Sequence, residues 1–365
     1  MQRIGKDQLG VLVVLFLIGS TPLFQLGNSA LQDAWMAMTI AAAAGLLMTA
    51  MYLKLQRRAP DAGLADLYKY HLGRWLGGAL AFIHAIWLAC QSMRNVRDVG
   101  EMTYMVLLDQ TPRSVTMLLI LLVAGYTASK GIEVFVRVAQ LLMPIVFISY
   151  GIVISLLFAS GLVRLDRLQP VLENGFGPVL TAVPDLVAFP FGQMVVLLVI
   201  WRYVKEREQI AKKTYRSQTF VSLFLIFMNV LVICVLGPQL SAVTVWPLLH
   251  AVQLVGMANF LNRLDIVAII LLYIGLYVKM TLLLFASATM ISETTGWSYR
   301  YLLLPVTLFI YGLSFLELNY AFHMWMGLQV TLKFMPVFQI ILPLLMLCVG
   351  IRSKYKRMSD KGADG

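Results

Sequence analysis

The sequence predicts an all-α integral membrane protein of ten transmembrane helices, built as a five-plus-five inverted repeat in which helices one and six are broken. Three observations predict it: the composition, the way charge punctuates long apolar runs, and helix breakers at two matched places. Of 365 residues, 60% are hydrophobic and 13% charged, with mean hydropathy +0.80. A water-exposed globular surface needs roughly twice that charge, about 25%. Twenty apolar residues cross the roughly 30 Å hydrocarbon core as a helix, whereas barrel strands would show alternating runs of about ten. The runs here are long and do not alternate.

Taken in order, the apolar runs bounded by Pro, Gly and charge predict spans near 8–30, 33–54, 78–108, 113–129, 131–161, 179–203, 216–237, 263–292, 299–317 and 334–352. No loop can hold a folded domain, so residues 1–365 read as one transmembrane domain: repeat one about 8–161, repeat two about 179–352, and a cytoplasmic tail at 353–365. The first run follows Arg3 and Lys6 but contains Gly19 and Pro22 and leads directly into the next, so it reads as a retained span rather than a signal peptide. With both termini inside, 21 of the 29 Lys and Arg fall in cytoplasmic segments and five in outer ones. The positive-inside rule therefore puts both termini in the cytoplasm, and it accounts for the net charge of +11 without nucleic acid as a partner. Residues 238–262 are too apolar for a free loop and are expected at the interface or over the outer mouth. Residues 318–333, with Tyr320, Phe322, His323 and Trp325, read as an aromatic interfacial stretch.

The breakers come next. Span one carries Gly19, Ser20, Thr21 and Pro22 near mid-depth, and span six carries Pro184, Pro190 and Gly192. Each opens a block of five spans, and the two blocks start in opposite directions, the pattern of an inverted repeat. Proline removes an amide donor and glycine lets the chain leave helical dihedrals, so backbone groups are freed at the midplane. Those groups can be satisfied by a kink's own neighbours or by a ligand; a small zwitterion suits both half-helix ends.

Span three places His84, Gln91, Arg94, Asn95, Asp98 and Glu101 on one stripe, with Arg97 at its edge. The Arg94–Asp98 and Arg97–Glu101 spacings are both i,i+4, which reads either as a structural ion-pair ladder or as the lining of a polar pathway. Lys279 lies mid-span in helix eight on the face of Ala268, Gly275 and Ala286. Its expected partners are carbonyls of the span-one break or carboxylates of span three, in a purely structural bridge or in the seat of a coupling cation, holding span one against span eight.

In this order and spacing, GS-P in span one, RNVRDVGEMTYMVLLDQTP in span three, FPFGQ in span six and YVKMTLLLFA in span eight, the whole chain resembles the B subunits of bacterial spore nutrient-germinant receptors. These form the spore-permease branch of the amino acid–polyamine–organocation superfamily, whose fold is the amino acid permease, LeuT-like one. The resemblance implies a ligand site at Gly19, Ser20, Thr21 and Pro22 with Phe189, Pro190, Phe191, Gly192 and Gln193. It also implies a small nutrient, typically an amino acid, as ligand, A and C receptor subunits as partners, the spore inner membrane as location, and no cofactor. Many relatives carry an acidic residue where this chain has Gln193.

Two functions share this architecture, a nutrient receptor and a proton-coupled amino acid permease, in which Gln91, Arg94, Arg97, Asp98, Glu101 and Lys279 would line a polar path or couple protons. An enzyme is excluded: His71, His84, His250 and His323 have no second ligand at metal spacing, and no nucleophile elbow occurs. Cys90, Cys234 and Cys348 sit in apolar runs and form no disulfide or zinc pattern.

Overall fold

The computed structural model describes residues 3–258 and 265–350; the tail expected at 353–365 lies outside them. Seven helical segments among the described residues are long and apolar enough to cross a membrane, and two shorter apolar helices, Arg113–Ser129 and Tyr299–Leu313, accompany them. With the broken first helix they make the ten expected spans. In chain order the helices are α1 (Lys6–Ile18), α2 (Ala34–Arg58), α3 (Leu64–Leu72), α4 (Arg74–Met102), α5 (Arg113–Ser129), α6 (Ile132–Ala159), α7 (Gly177–Ala188), α8 (Leu197–Ile200), α9 (Gln209–Leu236), α10 (Pro238–Val243), α11 (Pro247–Ala258), α12 (Asp265–Thr295) and α13 (Tyr299–Leu313). The tenth span, Tyr320–Val349, follows.

The packing pairs are reciprocal. Helix α1 lies on α9 as α2 lies on α7, and α4 touches α13 as α12 touches α5. Helix α4 also packs on α12, and α2 on α9. Exchanging each span for the one five places along maps this set onto itself, as an inverted repeat requires. Helix α12 is the axis: it is buried without interruption from Gly275 to Ile291.

Both breaks occur, and their local causes are readable. Helix α1 stops at Ile18; Pro22 has no amide to bond Ile18 O one turn back, and Thr21 Oγ1 donates to Leu17 O at 2.5 Å. The chain then makes one 3₁₀ turn, Thr21–Leu23, becomes extended at Phe24 and turns at Gly27, whose φ of +81° suits glycine. The second half of span one is thus short turns rather than the continued helix expected. Span six runs through Pro184 and breaks at Phe189–Pro190, where Phe189 is extended; 3₁₀ turns at Phe191–Val196 carry it on.

Span ten corrects the sequence reading. It begins at Tyr320 rather than near residue 334, so the stretch expected at the interface is its first half. The polar residues that suggested an interface are satisfied inside the bundle, as described below. Lys333, expected just outside the span, lies with Pro336 within a helix that accommodates them through two π turns, Met326–Thr331 and Val337–Ile341. In the described part of residues 238–262 the chain is helical rather than a free loop. Helix α11 packs against α9, α12 and the turn after the span-one break, burying Trp246, Leu248 and Leu249.

At the end where α1 begins, the bundle is tied together. Ile4 pairs with Val204, and Arg202 at the end of span six forms ion pairs with Glu293 of α12 and, at 3.7 Å, Asp66 of α3. At mid-depth, α1 crosses α12 backbone on backbone. A Cβ on Gly19 would lie 2.7 Å from Gly275 O, and one on Gly275 would overlap the Gly19 backbone. Gly275→Ala is therefore expected to destabilise the purified protein by about 1–3 kcal/mol. Gly151→Ala, where a Cβ meets nothing within 4 Å on helix α6, should be neutral or mildly stabilising. Thermal unfolding in detergent checks the pair; equal midpoints for the two variants would mean that the crossing is not close.

Candidate ligand-binding cavity between the two breaks

The two breaks meet. The rings of Phe24 and Phe189 stand edge to face with centroids 6.4 Å apart, and Phe189 lies over the Lys279 ammonium at 4.3 Å. Lys279 is fully buried and donates to Ser20 Oγ at 2.8 Å, with the Phe16 ring at 5.4 Å. It does join span one to span eight, as expected. Its direct contacts are a hydroxyl and two aromatic faces rather than backbone carbonyls, and of the span-three carboxylates Asp98 acts on it through space. Ring faces and a hydroxyl oxygen both present negative potential toward an ammonium.

A cavity of about 280 Å³ opens beside this junction. Six residues expected from sequence line it: Ser20, Gln91, Arg94, Asp98, Phe189 and Gln193. The others support it or lie elsewhere. Gly19 makes the helix crossing, and Thr21 and Pro22 border a separate space of about 20 Å³. Phe191 packs on Gly45 of α2, where a Cβ would come within 2.6 Å of it. Pro190 is buried and follows a cis peptide bond. Gly192 faces the side chain of Gln339 from span ten, and its carbonyl accepts from Tyr52 Oη at 3.3 Å. Arg97 and Glu101 form a buried pair at 2.7 Å, completed by Arg113 at 2.8 Å from the same Glu101 oxygen and by Ser314 O accepting from Arg97.

The ladder expected within span three is therefore half present. Arg97–Glu101 forms; Arg94–Asp98 does not. Arg94 reaches Glu317 at 3.2 Å and His323 O at 3.0 Å. It can do so because Gly327 of span ten leaves room that a Cβ would fill. Asp98 instead accepts from His323 Nε2 at 3.0 Å, while His323 Nδ1 bonds Glu317, and Tyr320 Oη lies 3.5 Å from Asp98. Trp246 of the segment leading into α11 donates to Tyr320 Oη at 3.0 Å.

Sequence reasoning missed Glu317, His323 and Gln339. Gln339 donates to Ala188 O at 3.0 Å, occupying a carbonyl freed by the span-six break, and its own carbonyl accepts from Tyr52 at 2.7 Å. The available signal was Glu317 and His323 six apart beside an apolar run, a pairing that only makes sense buried. His323→Ala should cost about 3–5 kcal/mol, because two buried carboxylates lose their shared donor. Adding Asp98→Asn should restore part of that. Unfolding midpoints of the single and double variants test it; additive losses would dissolve the proposed coupling.

This arrangement has relatives. Spore germination protein KB of Bacillus subtilis (strain 168) is 30% identical over 369 residues, which is 99% of this chain and 98% of that one. Spore germination protein XB of Bacillus anthracis is 18% identical over 352 residues, 94% of this chain and 98% of that one. Among solved structures, MhsT in complex with L-phenylalanine superposes with TM-score 0.67 at 14% identity, covering 95% of this chain and 98% of that one. Mhp1, a nucleobase-cation-symport-1 family transporter held closed with bromovinylhydantoin bound, gives 0.62 at 13% identity over 92% of this chain and 75% of that one. The fold is thus that of these transporters. With the profile of that family matching residues 3–323, this membrane protein belongs to the spore germination proteins.

Proposed function

We propose that this chain is the nutrient-sensing B subunit of a spore germinant receptor, seated in the spore inner membrane with both termini in the cytoplasm. It binds a small nutrient, an amino acid, in the cavity between the two breaks and signals to A and C partner subunits. The observation that carries the reading is the cavity itself. It lies where span one and span six both leave helical geometry, and its wall includes Ser20 and Gln193 from the two breaks and Gln91 from span three. Family membership supports germination rather than enzymatic chemistry.

Signalling follows from rocking one repeat, about 8–161, against the other, about 179–352. The Arg202 ion pairs and the Ile4–Val204 bridge hold the end where the chain starts shut. A ligand that favours a second arrangement need only bind it more tightly than the first. Lys279 takes the seat of a coupling cation in this scheme, a tethered charge that keeps span one on span eight. The second reading, a proton-coupled amino acid permease, draws on the Asp98–His323–Glu317 chain beside the cavity, a set of groups able to carry a proton.

Deleting the gene and exposing spores to single nutrients, with uptake measured in growing cells, separates the two. Loss of response to one nutrient class with uptake intact is expected. Lost uptake with normal germination would make the protein a permease. Gly192→Leu and Lys279→Met are each expected to abolish the nutrient response while the protein still reaches the membrane, as read by immunoblot. Spores of either variant that germinate normally would refute the role given to that residue.

A further inference from the structure

The cavity wall carries both charges and amides, and the two differ in one respect: the charges are already satisfied. Arg94 is bound to Glu317 and His323 O, and Asp98 to His323 and Tyr320. His323 has a carboxylate oxygen within hydrogen-bond distance of each ring nitrogen. Arg94 and His323 thus face the two acids Asp98 and Glu317. Arg97, Glu101 and Arg113, the neighbouring charges on span three and α5, are held among themselves, and Lys279 lies behind Ser20. The remaining acid on the cavity wall, Asp185, is exposed.

The amides are a different matter. Gln25, Gln91, Asn95 and Gln193 all line the cavity, and each is at least nine-tenths buried. Each has one polar atom with no partner in the protein: Gln25 Nε2, Gln91 Nε2, Asn95 Oδ1 and Gln193 Oε1. Contacts among themselves orient three of them. Asn95 Nδ2 donates to Gln91 O at 2.7 Å, and Gln193 Nε2 faces Gln91 Oε1 at 3.4 Å. Reversing both members of the Gln91–Gln193 pair would only exchange which supplies the free donor and which the free acceptor. The wall thus offers donors and acceptors together.

A carboxylate only accepts, so it would leave Asn95 Oδ1 and Gln193 Oε1 unpaired and face them with like partial charge. An ammonium only donates, and would leave the two Nε2 groups unpaired. A carboxamide or hydroxyl does both. Unpaired buried polar groups are the strongest source of discrimination a site possesses. We propose that this cavity selects a small solute whose end facing spans three and six is uncharged and both donates and accepts hydrogen bonds, a carboxamide or hydroxyl group, and rejects a carboxylate or ammonium there.

This rests on the cavity being the nutrient site, and the test separates the two ideas. The full-length protein in lipid nanodiscs is titrated with L-glutamine, L-homoserine, L-glutamate and L-lysine, with thermal stabilisation as the readout. Glutamine or homoserine should bind at least tenfold more tightly than glutamate and lysine, and the glutamine-to-homoserine ratio tells carboxamide from hydroxyl. In Gln91→Leu/Gln193→Leu, which keeps side-chain volume, the selectivity ratio should collapse toward one. Glutamate or lysine binding as well as glutamine, with the binding lost in the double variant, overturns the ligand class and keeps the site. Stabilisation that is the same, or absent, for every probe in both proteins overturns the site and the inference with it.

Discussion

The structure depends on a crossing of two main chains. Gly19 and Gly275 bring span one and span eight together with no side chain between them, and everything polar near mid-depth is arranged around that contact. Because the helices touch there, α1 can end without its last carbonyls facing lipid. Because α12 is buried on all sides below that point, a lysine on it must find its partners within the protein. Ser20, one residue beyond the crossing, is where it finds one. In a bilayer, close approach of small residues is the available source of helix affinity, since lipid competes for every larger apolar surface.

Around this junction the ion pairs and the unpaired amides occupy different parts of the cavity wall. Four ionisable groups from span three, span ten and the segment before it form one cluster, and its members point at one another. Their work is mechanical: they hold span three to span ten along the side of the cavity, and through Tyr320 and Trp246 they reach the helices that cover its far end. Paired groups are tolerable in hydrocarbon where a lone charge is not. On the proposed reading, the amides that remain are the part of the wall tuned to a solute.

Much of this was legible in the sequence, and the reason is locality. Composition, loop charge and the Gly-Ser-Thr-Pro and Phe-Pro-Phe-Gly breaks are read within a turn or two of chain, and so was the polar face of span three. What was illegible depended on distant choices. Arg94 prefers Glu317 to the nearer-in-sequence Asp98 because a glycine in span ten leaves a hollow for its guanidinium. His323 looked interfacial because a histidine among aromatics usually is, and its two acidic partners lie on separate elements. Lys279 was placed on the right seam, but its direct contacts were not foreseen, since nothing local says that Ser20, Phe16 and Phe189 will close over an ammonium. Gln339 gave no sign at all: an amide in an apolar run acquires meaning only when a carbonyl from a broken helix lies opposite.

The two π turns of span ten have a consequence for how such proteins vary. A π turn fits one more residue into the helix than a regular turn would, and so rotates everything beyond it relative to what precedes it. Met326–Thr331 and Val337–Ile341 hold Gly327 and Gln339, the residues that meet Arg94 and the span-six break. Loss of a single residue from either turn would relax it to ordinary α-helix and swing the face beyond it through about 100°, the angle between successive residues. An insertion or deletion there would therefore redirect span ten, and with it the cavity wall that Gly327, Leu328, Gln329 and Met335 supply, and an alignment that carries an even register across residues 326–341 would pair positions facing different sides of the helix.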